Sequence, residues 1–150
     1  IGLINVKGEP MVIEYNVRMG DPETEVVIPR LKSDLVELFQ VVANEKLNEV
    51  SLEIDERSAA TIMIVSGGYP EDYEKGKVIS GIENVTDSIV FHAGTKIDNG
   101  KVVSNGGRVL AITSYGDNFQ EAIKKSYQSI EKLHFDTMYY RKDIGFDLFI

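Results

Sequence analysis

Cysteine is absent from all 150 residues. Disulfides and thiolate-held metals are therefore excluded, and a reducing cytoplasm suits such a chain. A basic excess is also lacking: 16 Lys and Arg stand against 24 Asp and Glu, a formal charge of -8. With no basic tract, nucleic acid and anionic membrane surfaces are poor partners. No apolar run approaches the roughly 20 residues of a membrane span, and no signal-peptide pattern is present. Repeats and low-complexity tracts are missing too. His92 and His134 lie far apart, without the carboxylates or cysteines of a zinc site. No serine sits in a Gly-x-Ser-x-Gly elbow. What is present is ordinary for a domain that buries a core: 43% hydrophobic and 27% charged residues. The chain opens on Ile1, inside a strand pattern, so a piece of a longer protein is expected.

The stretch that organises the rest is Val12 to Glu25. Its first half alternates. Ile13, Tyr15 and Val17 would face one side of a strand, and Glu14, Asn16 and Arg18 the other. That row describes a solvated strand face, and it equally describes a site for a metal-bound phosphate. A carboxylate and an amide carbonyl are hard oxygen donors of the kind Mg2+ prefers, with substrate phosphates and water completing its octahedron. An Arg two residues on can neutralise charge on a transferring phosphoryl group. The second half is a turn, with Gly20 for an unusual backbone angle. Asp21-Pro22 reads as an N-cap followed by proline at the first helical position, and the free amides there suit an anion.

Along the chain, Ile1–Val6 and Met11–Arg18 are predicted as a hairpin across the turn 7–10. A short helix is predicted over Pro22–Ile28, ended by Pro29. Ser33 is read as the cap of a clearer helix whose Leu35, Leu38, Phe39 and Val42 would pack into a core. Residues 44–57 are polar and acidic, and the domain boundary is placed there, between units at 1–50 and 58–150. Ser58–Val65 is predicted as a buried strand ended by Gly67-Gly68-Tyr69-Pro70, which is neither a dinucleotide fingerprint nor a P-loop. Short strands follow at about 77–80, 88–92 and 101–104. Asn99-Gly100 gives a strong hairpin-turn signal. Arg108–Ser114 is the last long strand. Asp117, with Gln120 in the capping-box position, opens a helix whose Phe119, Ala122, Ile123, Tyr127, Ile130 and Leu133 form one apolar stripe. The tail holds Tyr139, Tyr140, Phe146 and Phe149, which should pack. Arg141-Lys142-Asp143 reads as a surface ion cluster.

The string Glu14-Tyr-Asn16-Val-Arg18-Met-Gly20-Asp21-Pro22-Glu23-Thr24 closely resembles the last strand of the ATP-grasp site in the phosphoribosylamine–glycine ligase (glycinamide ribonucleotide synthetase) family. Gly67-Gly68-Tyr69-Pro70, Phe91-His92-Ala93-Gly94-Thr95, Asn105-Gly106-Gly107-Arg108-Val109 and Arg141-Lys142-Asp143-Ile144-Gly145 extend the resemblance nearly end to end. It covers only the C-terminal third of that family. The resemblance implies an α+β fold: the tail of an ATP-grasp domain, then a small domain of mostly antiparallel strands covered by a helix. It implies a cytoplasmic ligase of de novo purine synthesis that joins glycine to 5-phosphoribosylamine while ATP is cleaved to ADP and phosphate. Glu14 and Asn16 would hold Mg2+ or Mn2+. Arg18 would stabilise the transferring phosphoryl group. Gly20, Asp21, Pro22 and Glu23 would shape the pocket for glycine or the amine. The ATP-binding lysines, the phosphate-covering loop and the phosphoribosylamine-binding domain would lie upstream. A second expectation from the residues alone is a non-catalytic packing or partner-binding module.

Overall fold

Two nine-residue strands rich in β-branched residues carry the core. The computed structural model describes residues 1–20 and 22–148, and in it β3 (Ser58–Ser66) pairs antiparallel with β7 (Arg108–Gly116) along nearly its whole length. β4 (Ile89–His92) flanks β7 and the short β8 (Met138–Tyr139) flanks β3, giving a sheet of order β4-β7-β3-β8 with every pair antiparallel. α3 (Phe119–Ile130) lies across this sheet. Its Ala122, Ile123 and Ile130 are buried, as the stripe predicts, and Ile62, Ile64, Leu110, Ile112, Leu133 and Phe135 complete the core. This is the α+β arrangement of antiparallel strands covered by a helix that the resemblance implies.

Serines hold the seam between helix and sheet. Ser126 Oγ donates to Ala60 O at 3.2 Å and to Ser114 Oγ at 2.9 Å. Ser88 Oγ lies 2.6 Å from both Ser114 Oγ and Ser129 Oγ. Each buried hydroxyl thus has a partner, which removes most of the cost of burying it.

A smaller sheet pairs β5 (Thr95–Asp98) with β6 (Lys101–Ser104). Asn99 (φ 49°) and Gly100 (φ 76°) both take the left-handed region that a two-residue primed turn requires, so the Asn-Gly signal is met. β5 itself falls where a loop was expected, because its burial is too slight to leave a hydrophobic pattern. Residues 77–80 are not a strand of their own. They make single bridges, Val78 to Val103 and Ser80 to His134.

The N-terminal part is built differently. β1 (Gly2–Val6) and β2 (Glu9–Glu14) form a hairpin whose turn narrows to Lys7-Gly8. Its extensive contacts are within itself. The predicted second strand runs to Arg18 but the observed one stops at Glu14, because Glu14 pairs with Gly2 and little of β1 remains to pair with 15–18. α1 is Thr24–Val27, shorter than predicted, and Pro29 lies within a single 3₁₀ turn, Ile28–Arg30. Asp21, the predicted cap, lies outside the described residues; Glu23 occupies the N-cap position.

α2 (Leu35–Ala43) is capped by Asp34, not Ser33: Val36 N and Glu37 N donate to Asp34 Oδ1 at 2.7 and 3.1 Å. Ser33 Oγ instead accepts from Glu53 N. No residue of α2 is buried, and Phe39 is 63% exposed, so the predicted core face stays largely open among the described residues. α3 shows a similar one-residue shift. Asn118 caps it, and Glu121 answers by accepting from Asp117 N. In the tail, Tyr140 and Ile144 pack on the core while Tyr139 and Phe146 stay exposed; Phe149 lies outside the described residues. Arg141 and Asp143 form the expected surface pair, with two bonds of 2.9 Å.

Candidate functional site

The segment after the hairpin docks on the sheet face opposite α3. Ser114 points to the helix, so Thr113 and Tyr115, its neighbours in β7, face the other way. Thr113 Oγ1 donates to Glu25 O at 2.8 Å, and Tyr115 Oη donates to Pro29 O at 2.6 Å. Arg30 closes the anchor by donating from Nε and Nη2 to Asp55 O at 3.1 and 2.8 Å. The Arg57 guanidinium lies 4.3 Å over the Tyr115 ring and pairs with the Asp55 carboxylate. Hydrogen bonding from Arg57 holds Asp55 far below the usual carboxylate range, and burial pushes the Tyr115 phenol up. Residues 24–30 are thus fixed to the C-terminal sheet, while the hairpin before them is not.

The acid–amide–guanidinium row is exposed. Asn16 Nδ2 donates to Glu14 Oε1 at 3.0 Å, so these two side chains meet. Arg18 does not join them; its Nη1 donates to Met19 O at 3.0 Å. Val17, on the opposite side of the chain, is 99% exposed. The turn that follows is tied by Thr24, whose N and Oγ1 both donate to Gly20 O, at 3.1 and 2.9 Å. A Cβ on Gly20 would meet only the Glu23 side chain, which can swing aside, and Gly20 does not take the positive φ that the sequence suggested. The Glu14–Asn16 donor set fits a hard divalent cation that takes only two protein oxygens. No group of three or more His, Cys, Asp or Glu suited to a metal occurs among the described residues.

Two cavities adjoin this turn. One of about 570 Å³ is lined by Arg18, Met19, Gly20, Thr24, Glu25 and Arg108. The second, of about 490 Å³, is lined by Glu25, Tyr69, Ala93, Gly94, Gly107 and Arg108. Glu25 and Arg108 line both, so the two form one cleft. Three loops distant in sequence build its far wall: 67–70, 93–94 and 105–108. Their glycines are demanded by mutual packing. A Cβ on Gly94 would run into Arg108 O and Gly106, and one on Gly107 into the Tyr69 ring. Gly67-Gly68 is a turn, with Gly68 at φ 98°. Glu25 Oε2 is buried and has no hydrogen-bond partner among the described residues.

Of the predicted site residues, the structure brings together Glu14 with Asn16, and Arg18 with Gly20. Pro22 and Glu23 sit in the same turn but do not line the cleft, and Asp21 lies outside the described residues. Glu25 and Arg108 were not among the predicted site residues. The signal for Arg108 was in the Asn-Gly-Gly-Arg-Val string, and for Glu25 in the end of the Gly-Asp-Pro-Glu-Thr-Glu run.

Comparison with known proteins gives a consistent result. Residues 59–147 match the family model described as phosphoribosylglycinamide synthetase, C domain. Over 144 residues the chain is 43% identical to the phosphoribosylamine–glycine ligase of Caldanaerobacter subterraneus subsp. tengcongensis, covering 96% of this chain and 34% of that protein. It is 47% identical over 146 residues to the phosphoribosylamine–glycine ligase of Escherichia coli (strain K12), covering 95% and 34%. The crystal structure of phosphoribosylamine–glycine ligase from Thermotoga maritima superposes with a TM-score of 0.74 at 38% identity, covering 95% of this chain and 35% of that one. The chain spans about a third of the length of these relatives. With 89 of its 150 residues matched by the family model (147 − 59 + 1), and the loops that wall the cleft among them, the chain belongs to the phosphoribosylglycinamide synthetase C-domain family.

Proposed function

We propose that this chain is the C-terminal third of a phosphoribosylamine–glycine ligase of de novo purine (IMP) biosynthesis, working in the cytoplasm. The observation that carries the reading is the turn from Glu14 to Thr24 opening directly onto a cleft walled by the C domain. Residues 1–50 are the end of an ATP-grasp domain, and 58–150 are the C domain. The substrates are ATP, glycine and 5-phosphoribosylamine; neither nucleic acid nor membrane is a partner.

Glu14 and Asn16 would hold Mg2+ or Mn2+, which when bound would supply charge neutralisation on the ATP phosphates. Asn16 then presents its carbonyl oxygen, a rotation of the amide that costs one exposed hydrogen bond. The glycine carboxylate attacks the γ-phosphorus of ATP; the bond to the bridging oxygen breaks and ADP leaves. Arg18 swings from Met19 O to stabilise the equatorial oxygens of the phosphoryl group in flight. The amine of phosphoribosylamine next attacks the glycyl carbonyl. The new C–N bond forms, the C–O bond to phosphate breaks, and the amine gives up a proton. Of the Gly20-Asp21-Pro22-Glu23 turn that the resemblance assigns to the pocket for glycine or the attacking amine, Gly20 is the residue that lines the cleft.

The test is ADP formation by the intact ligase, from ATP, with dependence on both glycine and phosphoribosylamine. The 150-residue chain alone should show none, because the nucleotide-binding parts lie outside it. Ligase activity absent from the intact protein would refute the reading. A non-catalytic packing module is a second reading of 58–148 taken alone, whose buried core is formed among its own residues.

A further inference from the structure

We propose that Thr113 and Tyr115 are positioning residues for the ligase reaction: from β7 they fix the turn that carries Arg18 and Gly20 against the C domain. The inference rests on the ligase reading above and extends it to two side chains that do not line the cleft. Two gaps in the hydrogen bonding of the docked segment carry it. In an α-helix the carbonyl of residue 25 accepts from the N–H four positions on. Here that residue is Pro29, which has no N–H. Ile28 N, the donor three positions on, goes to Thr24 O. Glu25 O is therefore left over, and Thr113 Oγ1 donates to it at 2.8 Å. Pro29 O stands where the helical segment ends and carbonyls run out of partners. Lys32 N and Ser33 N, which could turn back to it, both donate to Glu53 O. Tyr115 Oη takes the place, at 2.6 Å.

The two spacings match. Residues two apart on one strand face lie about 6.7 Å apart, and four residues along a helix span about 6 Å. Hydroxyls at 113 and 115 thus meet carbonyls at 25 and 29 together, and sliding the segment by one residue would break both bonds. Thr113 is 0% exposed, in the central strand pair. A valine of the same shape would fill that space with no hydroxyl to satisfy. The Thr113 hydroxyl instead serves Glu25 O, with Thr61 Oγ1 at 2.9 Å beside it. Tyr115 is braced by the Arg57 guanidinium, 4.3 Å over its ring. From Glu25 the hold passes directly to the site. The neighbouring Thr24 donates twice to Gly20 O, and Met19 O, next to that glycine, accepts from Arg18. Arg18, Gly20, Thr24 and Glu25 line one lobe of the cleft. Removing a hydroxyl from β7 frees the turn to shift, and a misplacement of about 1 Å can lower a rate on the order of a hundredfold.

The experiment uses the intact ligase and compares wild type with Thr113→Val, Thr113→Ser and Tyr115→Phe. Thr113→Val keeps the shape and Tyr115→Phe keeps the ring under Arg57; each removes one hydroxyl. Each should lower kcat, per folded molecule, about tenfold, with KM for ATP within about twofold of wild type. Thr113→Ser keeps the hydroxyl and removes a buried methyl. Its kcat should stay within about twofold of wild type, whatever its melting temperature. Activity then follows the hydroxyl and not the stability, which a purely structural role would not produce. If Thr113→Val does not fold, Tyr115→Phe decides. Wild-type kcat in every variant that folds without a hydroxyl overturns the proposal while the ligase reading stands. A loss in Thr113→Ser equal to that in Thr113→Val also overturns it, by assigning the effect to volume. If the wild-type protein makes no ADP from ATP with glycine and phosphoribosylamine, the ligase reading itself falls and this inference with it.

Discussion

The two halves of this chain have similar shares of apolar residues and treat them in opposite ways. In residues 58–148 the apolar side chains of β3, β7 and α3 are buried against one another, and Phe135 is 1% exposed. In residues 1–54 most of the large apolar side chains lie open: Ile4, Met11, Ile13, Phe39, Val42 and Leu52 are all exposed. An isolated hairpin and a single amphipathic helix each offer one apolar face that is left largely open among the described residues. What the contrast teaches is where stability and chemistry reside. The C-terminal half owns a core. The hairpin that carries Glu14 contacts mainly itself, and only the segment downstream of it, residues 24–30, is tied to that core through Thr113, Tyr115 and Asp55.

The comparison breaks most sharply if the row is chemically idle. Glu14→Gln in the intact ligase should lower kcat by several orders of magnitude and leave the fold intact, since electrostatic groups of this kind are worth about 3 kcal/mol or more each. Near wild-type turnover at saturating Mg2+ would make Glu14 a plain surface residue.

Next in size is the core itself. Phe135→Ala should destabilise the 150-residue chain by about 3–5 kcal/mol, as large-to-small changes in a closed core do. Ile13→Ala, at a position 64% exposed, should cost less than about 0.5 kcal/mol. Urea unfolding of the two variants checks both. Comparable losses would mean that the hairpin packs on something in solution, such as a second copy of the chain.

Amide exchange sharpens the same contrast without mutation. Residues 60–65 and 109–114, paired along the centre of the sheet, should exchange slowest. Residues 2–6 and 11–14 should open readily, because their ladder has only two strands and two free edges. Equally slow exchange in the hairpin would contradict a division of stability between the halves.

The smallest effect expected is acid sensitivity confined to surface pairs. Hydrogen bonding from Lys125, then from Asp117 N, depresses the Glu121 carboxylate. A group depressed on folding stabilises the native state above its unfolded pKa, and that contribution is lost as the pH falls through the lowered value. Glu121→Gln should therefore flatten the acid arm of a melting-temperature profile slightly and leave the neutral region little changed. A steeper acid arm in the variant would reverse the sign assigned here.

Much of this molecule is legible in its residues. The nearly unbroken apolar run at 58–65 reads directly as a buried strand, and 108–114 as the last long strand; that the two pair with each other was not legible. The stripe on α3 and the Asn99-Gly100 turn are equally plain, since 3.6-residue periodicity and a demand for positive φ are local properties. Local chemistry also erred by single residues where two polar candidates stood side by side. Ser33 and Asp34 both can cap, as can Asp117 and Asn118; the path of the incoming chain chose the second each time. The weakly amphipathic β5 left no readable pattern.

The row itself was set by sequence alone: an acid, an amide and a guanidinium at alternate positions, followed by a glycine turn, are covalent facts that no packing is needed to reveal. Which residues complete the cleft was decided only by tertiary structure. Glu25 lies 83 positions from Arg108 (108 − 25), and neither carries a local signal for the other. They come to line one cleft because Thr113 and Tyr115 in β7 grip the backbone at Glu25 and Pro29. The same strand begins at Arg108, so the pairing of β7 with the rest of the sheet carries that guanidinium to the edge where the 18–25 turn arrives. Juxtaposition of this kind is a property of the sheet and its docked segment, and no window of sequence contains it.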